Sequence, residues 1–132
     1  MAFLSKWSDE ILSLLRIVSA FMFIQHGTQK LFGFPAPARG PYELLTLSPG
    51  LAGLLEVVLG PLLLLGLFTR PVAFVLSGFM AAAYFIGHAP RGFFWTIANG
   101  GDAAVLYCFV FLYIAAVGGG KWSIDAVRAK RG

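Results

Sequence analysis

The chain has 132 residues, 58% of them hydrophobic and 12% charged, with a mean hydropathy of +0.80. Soluble domains carry about 25% charged residues, so an ordinary water-soluble enzyme is excluded and the chain is built for lipid. Its net charge of +4 comes without a basic stripe interleaved with aromatics, which excludes a nucleic-acid partner.

Four apolar blocks, about 11–34, 50–69, 71–89 and 93–117, predict an all-α fold. The expected architecture is an integral membrane four-helix bundle forming one domain over residues 1–132, with few residues left for a soluble catalytic part. In the first block Ser8 reads as the helix N-cap, with Asp9 and Glu10 in the first turn, where the helix dipole favours acids. The run is too long and too polar for a cleaved signal peptide and is expected to remain as a helix. The loop FPAPARGPYELLTLSPG is too rich in Pro and Gly for a continuous helix, and its apolar side chains fit the membrane surface. Ser48-Pro49-Gly50 opens the second helix, with Pro suited to the first turn. Gly60-Pro61 predicts a kink near residues 57–61. Thr69-Arg70-Pro71 predicts a tight turn that makes helices 2 and 3 antiparallel neighbours, and the third helix is expected to end near His88-Ala89-Pro90. The fully apolar part of the fourth block, 103–117, is shorter than the roughly 20 residues a crossing needs. A fourth crossing must then include Asn99, Gly100, Gly101 and Asp102, which brings a carboxylate and two glycines to membrane depth.

Basic residues set the expected sidedness. Lys6, Arg70, Lys121, Arg128, Lys130 and Arg131 fall on one side and Lys30, Arg39 and Arg91 on the other. The larger group marks the cytoplasm, so both termini are expected there. The segment KWSIDAVRAKRG reads as a short cytoplasmic amphipathic tail on an anionic leaflet.

A charge near mid-membrane costs about 2.5–3.5 kcal/mol and normally faces a partner inside the bundle. Depth places His26 and Lys30 (helix 1), Glu56 (helix 2), His88 (helix 3) and Asn99 with Asp102 (helix 4) in one outer half. Ser19, His26 and Lys30 share a face, and Gly53, Glu56 and Gly60 form a small-residue face that permits close packing. Ser77, Ala81, Tyr84 or Phe85, and His88 form a stripe on helix 3. Asp102, Leu106, Phe109 and Tyr113 form one on helix 4, with aromatics running inward from the acid. The expectation is a ligand or proton-exchange pocket of His26, Lys30, Glu56, His88, Asn99 and Asp102 above an aromatic floor. Plainer roles compete with it. Lys30 can snorkel or pair structurally with Glu56, Asn99 and Asp102 can form a capping box, and His88 can be a wet interfacial residue. Arg16, at the inner end, reads as a structural charge that snorkels or meets a helix C-terminus. Most of the aromatics, Tyr84 included, read as core or lipid-facing. The single cysteine, Cys108, excludes an intramolecular disulfide or CxxC dithiol and reads as a small buried hydrophobe. No metal site is read.

Three segments, HGTQKLFGF (from His26), GLLEVVLGPLLLLGLFTRP (from Gly53) and NGGDAAVLYCFVFLYIAAVGGGKWSID (from Asn99), resemble the signatures of the DoxX family across nearly the whole chain. Arg16 falls where that family carries an arginine in its first helix. The resemblance implies a small multi-pass protein of the bacterial inner membrane, linked to quinone or thiol redox systems. Relatives serve as subunits of a quinol oxidase or a thiosulfate:quinone oxidoreductase, or organise a redox-defence complex. One departure is Asp102, where the family usually has Glu, one methylene longer.

Three roles follow. In the first, the chain is a quinone-associated subunit, with His26 and Glu56 or Asp102 on the quinone head group. Carrying no iron–sulfur motif, dinucleotide fingerprint or dithiol, it would exchange electrons through a partner protein and be at most a subunit of an oxidoreductase. The second is a non-catalytic scaffold subunit, in which the loop of residues 35–49 and the basic tail dock partners. The third and weakest is a haem held by His26 and His88, disfavoured by His88 at the membrane edge. An oligomer is compatible with all three.

Overall fold

A chain this apolar must satisfy its backbone polar groups within each segment, and helices do so. The computed structural model describes residues 2–131, and every regular element among them is helical. A 3-10 turn, Ala2–Trp7, runs directly into α1, Ser8–Phe32. Ser8 is consequently not the cap. That position falls on Trp7, which makes no side-chain cap bond, because the upstream turn occupies the place where a capping residue would act. Gly33 ends α1 in the left-handed region (φ 65), its N–H reaching the Gln29 carbonyl at 3.0 Å, the usual terminating role of glycine.

Past the loop, Ser48 is extended (φ −145, ψ 128), and a wide turn, Leu47–Leu51, leads into α2, Ala52–Leu65. Pro61 has no N–H to give the preceding turn, yet it sits inside α2 without ending it. Gly66 (φ 69) closes α2, and α3, Thr69–Ala83, starts three residues later. The break between the two helices thus occupies residues 66–68 rather than the predicted Thr69-Arg70-Pro71. Glycine supplies the left-handed exit, while proline is at home in the first turn of the next helix. α3 continues as a wide turn, Tyr84–His88, and a 3-10 turn, Ala89–Arg91.

The fourth block is broken. α4, Thr96–Asn99, is a single turn; Gly100 goes left-handed (φ 71), and α5, Asp102–Val117, starts afresh. Beyond Gly118 and Gly120, both at positive φ, lies α6, Ile124–Ala129, capped by Ser123, whose Oγ accepts the Ala126 N–H at 3.1 Å. Among the described residues, Ala2–Phe32, Ser48–Leu65 and Thr69–Arg91 are long and apolar enough to cross a membrane, whereas α5 has 16 residues. That is about 24 Å of helix against a hydrocarbon core of about 30 Å.

The chain forms two compact units. One holds the residues up to Phe68 and those from Gly119 on; the other is Thr69–Gly118. In the first, α1 packs on α2 along a glycine seam. A Cβ on Gly27 would stand 2.7 Å from Glu56 Cβ and 2.8 Å from Val57 Cγ2, and one on Gly60 would stand 2.5 Å from Ile24 Cγ1. The seam brings the backbones close enough for dispersion to hold helices that gain no hydrophobic advantage over lipid. In the second unit α3 packs on α5. Leu76, Met80, Ala104, Phe111 and Ile114 are buried, and the Ser77 hydroxyl donates to the Cys108 carbonyl at 2.8 Å.

Gly27→Val or Gly60→Val should therefore overpack the seam by about 1–3 kcal/mol and lower the thermal midpoint of the micelle-solubilised chain. Gly78→Val, where nothing lies within 4 Å of the added Cβ, should not.

Candidate functional site

Three polar clusters interrupt the apolar fold, two in the first unit and one in the second. The first centres on Arg16, which is 0% exposed. Its Nε donates to the Gly119 carbonyl at 2.8 Å, one terminal nitrogen donates to Leu63 at 2.8 Å and to Leu64, and the other donates to Trp122 at 2.6 Å. Leu63 and Leu64 lie in the last turn of α2, whose carbonyls have no intrahelical partner and carry the negative end of the helix dipole. The planar fork of five N–H groups suits this task better than a lysine would. Around it the tail closes tightly. Ser13 Oγ accepts the Trp122 N–H at 3.1 Å, Asp125 Oδ1 accepts the Phe68 N–H at 3.0 Å, and Lys121 pairs with Glu10. A Cβ on Gly66 would stand 3.0 Å from Arg16 Cζ.

The second cluster joins the opposite ends of the same helix pair. Lys30 Nζ bonds both carboxylate oxygens of Glu56, at 2.6 and 2.7 Å. Glu56 is buried, while the Lys30 side chain is 25% exposed. An ammonium has three donors, so one N–H of Lys30 remains for a further acceptor. His26, one turn earlier, is exposed, and its Nδ1 lies 3.0 Å from the Met22 carbonyl. Because a carbonyl only accepts, that bond places a proton on Nδ1.

The third cluster is built on Asn99, 2% exposed. Its Oδ1 accepts the Gly101 N–H at 2.7 Å, and its Nδ2 donates to the Gly92 carbonyl at 2.6 Å and the Tyr84 hydroxyl at 3.2 Å. The Tyr84 hydroxyl in turn donates to the Phe93 carbonyl. His88 Nδ1 lies 3.0 Å from the Asn99 carbonyl and 3.2 Å from an Arg91 nitrogen. One nitrogen cannot donate to the first and accept from the second at once, so the proton on Nδ1 selects between them. A Cβ on Gly101 would stand 2.6 Å from the Tyr84 ring. The two glycines thus have separate tasks, since Gly100 breaks the helix and Gly101 admits a close neighbour.

The structure joins Lys30 to Glu56 and His88 to Asn99. It leaves His26 and Asp102 on exposed faces. Asn99 forms an Asx turn to Gly101 rather than a capping box with Asp102, which is simply the first residue of α5. The stripe expected to face inward, Asp102, Leu106, Phe109 and Tyr113, is exposed, and Ala104, Phe111 and Ile114 are buried instead. α5 is apolar all round, so its sequence carries no phase, and the Gly101–Tyr84 contact sets its rotation. Tyr84, read from sequence as core, proves to be a hydrogen-bonding member of the third cluster. Its only signal was its place on a stripe with His88. The tail partners of Arg16 had no signal beyond the run of Gly118, Gly119 and Gly120.

The DoxX family model matches residues 11–89, from the start of α1 to the turn after α3. The chain belongs to the DoxX family. This DoxX-family membrane protein is similar to an uncharacterized protein of Haemophilus influenzae, at 47% identity over 126 residues, covering 92% of this chain and 93% of that one. It is also similar to an uncharacterized membrane protein of Mycobacterium tuberculosis, at 31% identity over 133 residues, covering 89% and 80%. No solved structure matches it at a significant level. The family match takes in Arg16, Lys30 and Glu56 and stops short of Asn99.

Arg16→Met would orphan carbonyls that cost about 1–3 kcal/mol each when buried unpaired. It should release the tail, seen as protease cleavage within residues 119–131 at temperatures where α1 and α2 stay intact. In a double-mutant cycle of Lys30→Met and Glu56→Leu, each single change should destabilise the chain more than the pair does, with a coupling of about 1–3 kcal/mol.

Proposed function

We propose that this DoxX-family chain is a small multi-pass subunit of a quinone- or thiol-linked redox assembly in the bacterial inner membrane. It contributes architecture and a docking surface, and electrons are exchanged through a partner protein. The observation that carries this reading is how the strongest polar groups are used. Arg16 is spent on backbone carbonyls, Glu56 on Lys30 and Asn99 on the turn before α5. These groups hold the chain to itself, and a single cysteine supplies no dithiol. Four crossings with both termini in the cytoplasm fit the basic residues, six on one side and three on the other. The fourth uses α5 together with the glycine break and α4 to make up its length. Irregular backbone at that depth is tolerated where protein covers it, and the Asn99 bonds provide that cover.

A second reading is favoured by the remaining N–H of Lys30. It could hold one carbonyl oxygen of a quinone head group, with Glu56 as the nearby carboxylate for proton exchange and His26 on the next turn. The fit extends to one carbonyl only, because both Glu56 oxygens already face Lys30. A quinone would supply two-electron redox chemistry there; these residues would orient it.

Wild type, Lys30→Met and Glu56→Gln/Asp102→Asn should be extracted in native-lipid discs and their contents identified by mass spectrometry. The subunit reading expects a stoichiometric protein partner, retained by all three, and an unchanged cellular redox phenotype. A stoichiometric quinone that is lost with Lys30→Met, without a protein partner, would overturn it in favour of the second reading.

A further inference from the structure

An open groove of about 420 Å³ lies on the second unit between α3 and α5, lined by Arg70, Pro71, Phe74, Leu112, Ala115 and Ala116. All six lie outside the three polar clusters. Phe74 and Leu112 are exposed, 66% and 44%, and so are Arg70 and Ala116, so the groove is open. Its shape follows from residue size, since two alanines on α5 face larger side chains on α3. Its polarity is one-ended. Arg70, at the start of α3, sits beside the end of α5, where a Cβ added to Gly118 would stand 3.6 Å from its Nε. Phe74 and Leu112 lie about one turn deeper, roughly 5–6 Å along the helices.

Arg70 is lightly engaged. Among the described residues its hydrogen bond runs to the Val117 carbonyl at 3.5 Å, at the long limit for such a contact. Among the described residues no carboxylate pairs with it. A guanidinium has five donors in a plane that match phosphate oxygens two at a time. At the end of a helix long and apolar enough to cross a membrane, an apolar trough with one cation at its mouth has the complement of a phospholipid.

We infer that this groove is a phospholipid site, in which the phosphodiester lies on the Arg70 guanidinium and the upper part of one acyl chain lies along Phe74, Leu112, Ala115 and Ala116. The site selects against lipids without a phosphate and against zwitterionic lipids whose own cation covers it. Residence there places a lipid between α3 and α5 at the helix ends, where it fills space that would otherwise lose dispersion contacts. The inference is independent of the redox reading and uses a different readout.

The test is native mass spectrometry of the full chain in non-ionic detergent, titrated with dioleoylphosphatidylglycerol or with dioleoylglycerol, which shares the chains and lacks the phosphate. Wild type should retain the phospholipid about tenfold more tightly than the diacylglycerol, as a charge-assisted bidentate contact implies. Arg70→Gln should lower phosphatidylglycerol retention to the diacylglycerol level. Arg39→Gln, an exposed cation in the loop after α1, should change nothing. Ala116→Leu, which fills the trough, should weaken both lipids. Equal retention by Arg70→Gln and wild type, or equal losses from Arg70→Gln and Arg39→Gln, would overturn the proposal. A photo-crosslinker at position 116 should capture lipid in cells; an adduct to a protein of defined mass would assign the groove to a partner helix instead and equally overturn it.

Discussion

A guanidinium with no exposure to solvent has to recover, from the protein, every hydrogen bond it gave up in water. Arg16 recovers them from backbone carbonyls, two at the end of α2 and two in the segment that leads to α6. The choice of partner matters. A carboxylate would have required a second buried ion, whereas helix-end carbonyls are already electron-rich and keep a lone pair for a further donor, as Leu63 does beside the Gly66 N–H. One side chain thereby fixes three parts of the first unit, namely α1, the C-terminus of α2 and the tail. The close approaches of Gly66 and Gly120 to Ser123 and Ser13 are consequences of that convergence.

The same helix pair is held at its other end by Lys30 and Glu56. Lys30 stands 14 residues after Arg16 on α1, about 21 Å of helix, and that interval is packed through Gly27 and Gly60 rather than through large interlocking side chains. In lipid this is an economical arrangement. Apolar side chains gain little by leaving hydrocarbon for a protein interior, so close backbone packing and polar contacts at the two ends carry the pairing.

The second unit solves a related problem with an amide. Breaking the helix at Gly100 exposes backbone groups of the turn, and Asn99 has both a donor and an acceptor with which to meet them. Tyr84 adds a hydroxyl and a ring face, and the lack of a side chain at Gly101 lets that ring approach. Arg16 and Asn99 in this DoxX-family chain thus take the backbone as their first partner. That is the physical basis for the architectural role proposed for it.

Composition and hydropathy alone determined that this is an all-helical membrane protein. The cost of placing polar groups at membrane depth singled out Arg16, Lys30, Glu56 and Asn99, together with His26, His88 and Asp102, of which His26 and Asp102 are exposed. Helical spacing correctly put Gly53, Glu56 and Gly60 on one buried face, because polar and small residues there contrast with the leucines around them. Where that contrast is missing, the sequence is silent. α5 is apolar on every side, so only tertiary contact at Gly101 decided that Ala104, Phe111 and Ile114 turn inward while Asp102 and its stripe turn out. Likewise, the need of Arg16 for partners was legible, but their identity was not. Carbonyls are the same in every residue, and which of them meet a guanidinium is settled only when chain segments more than 40 residues apart in sequence come together.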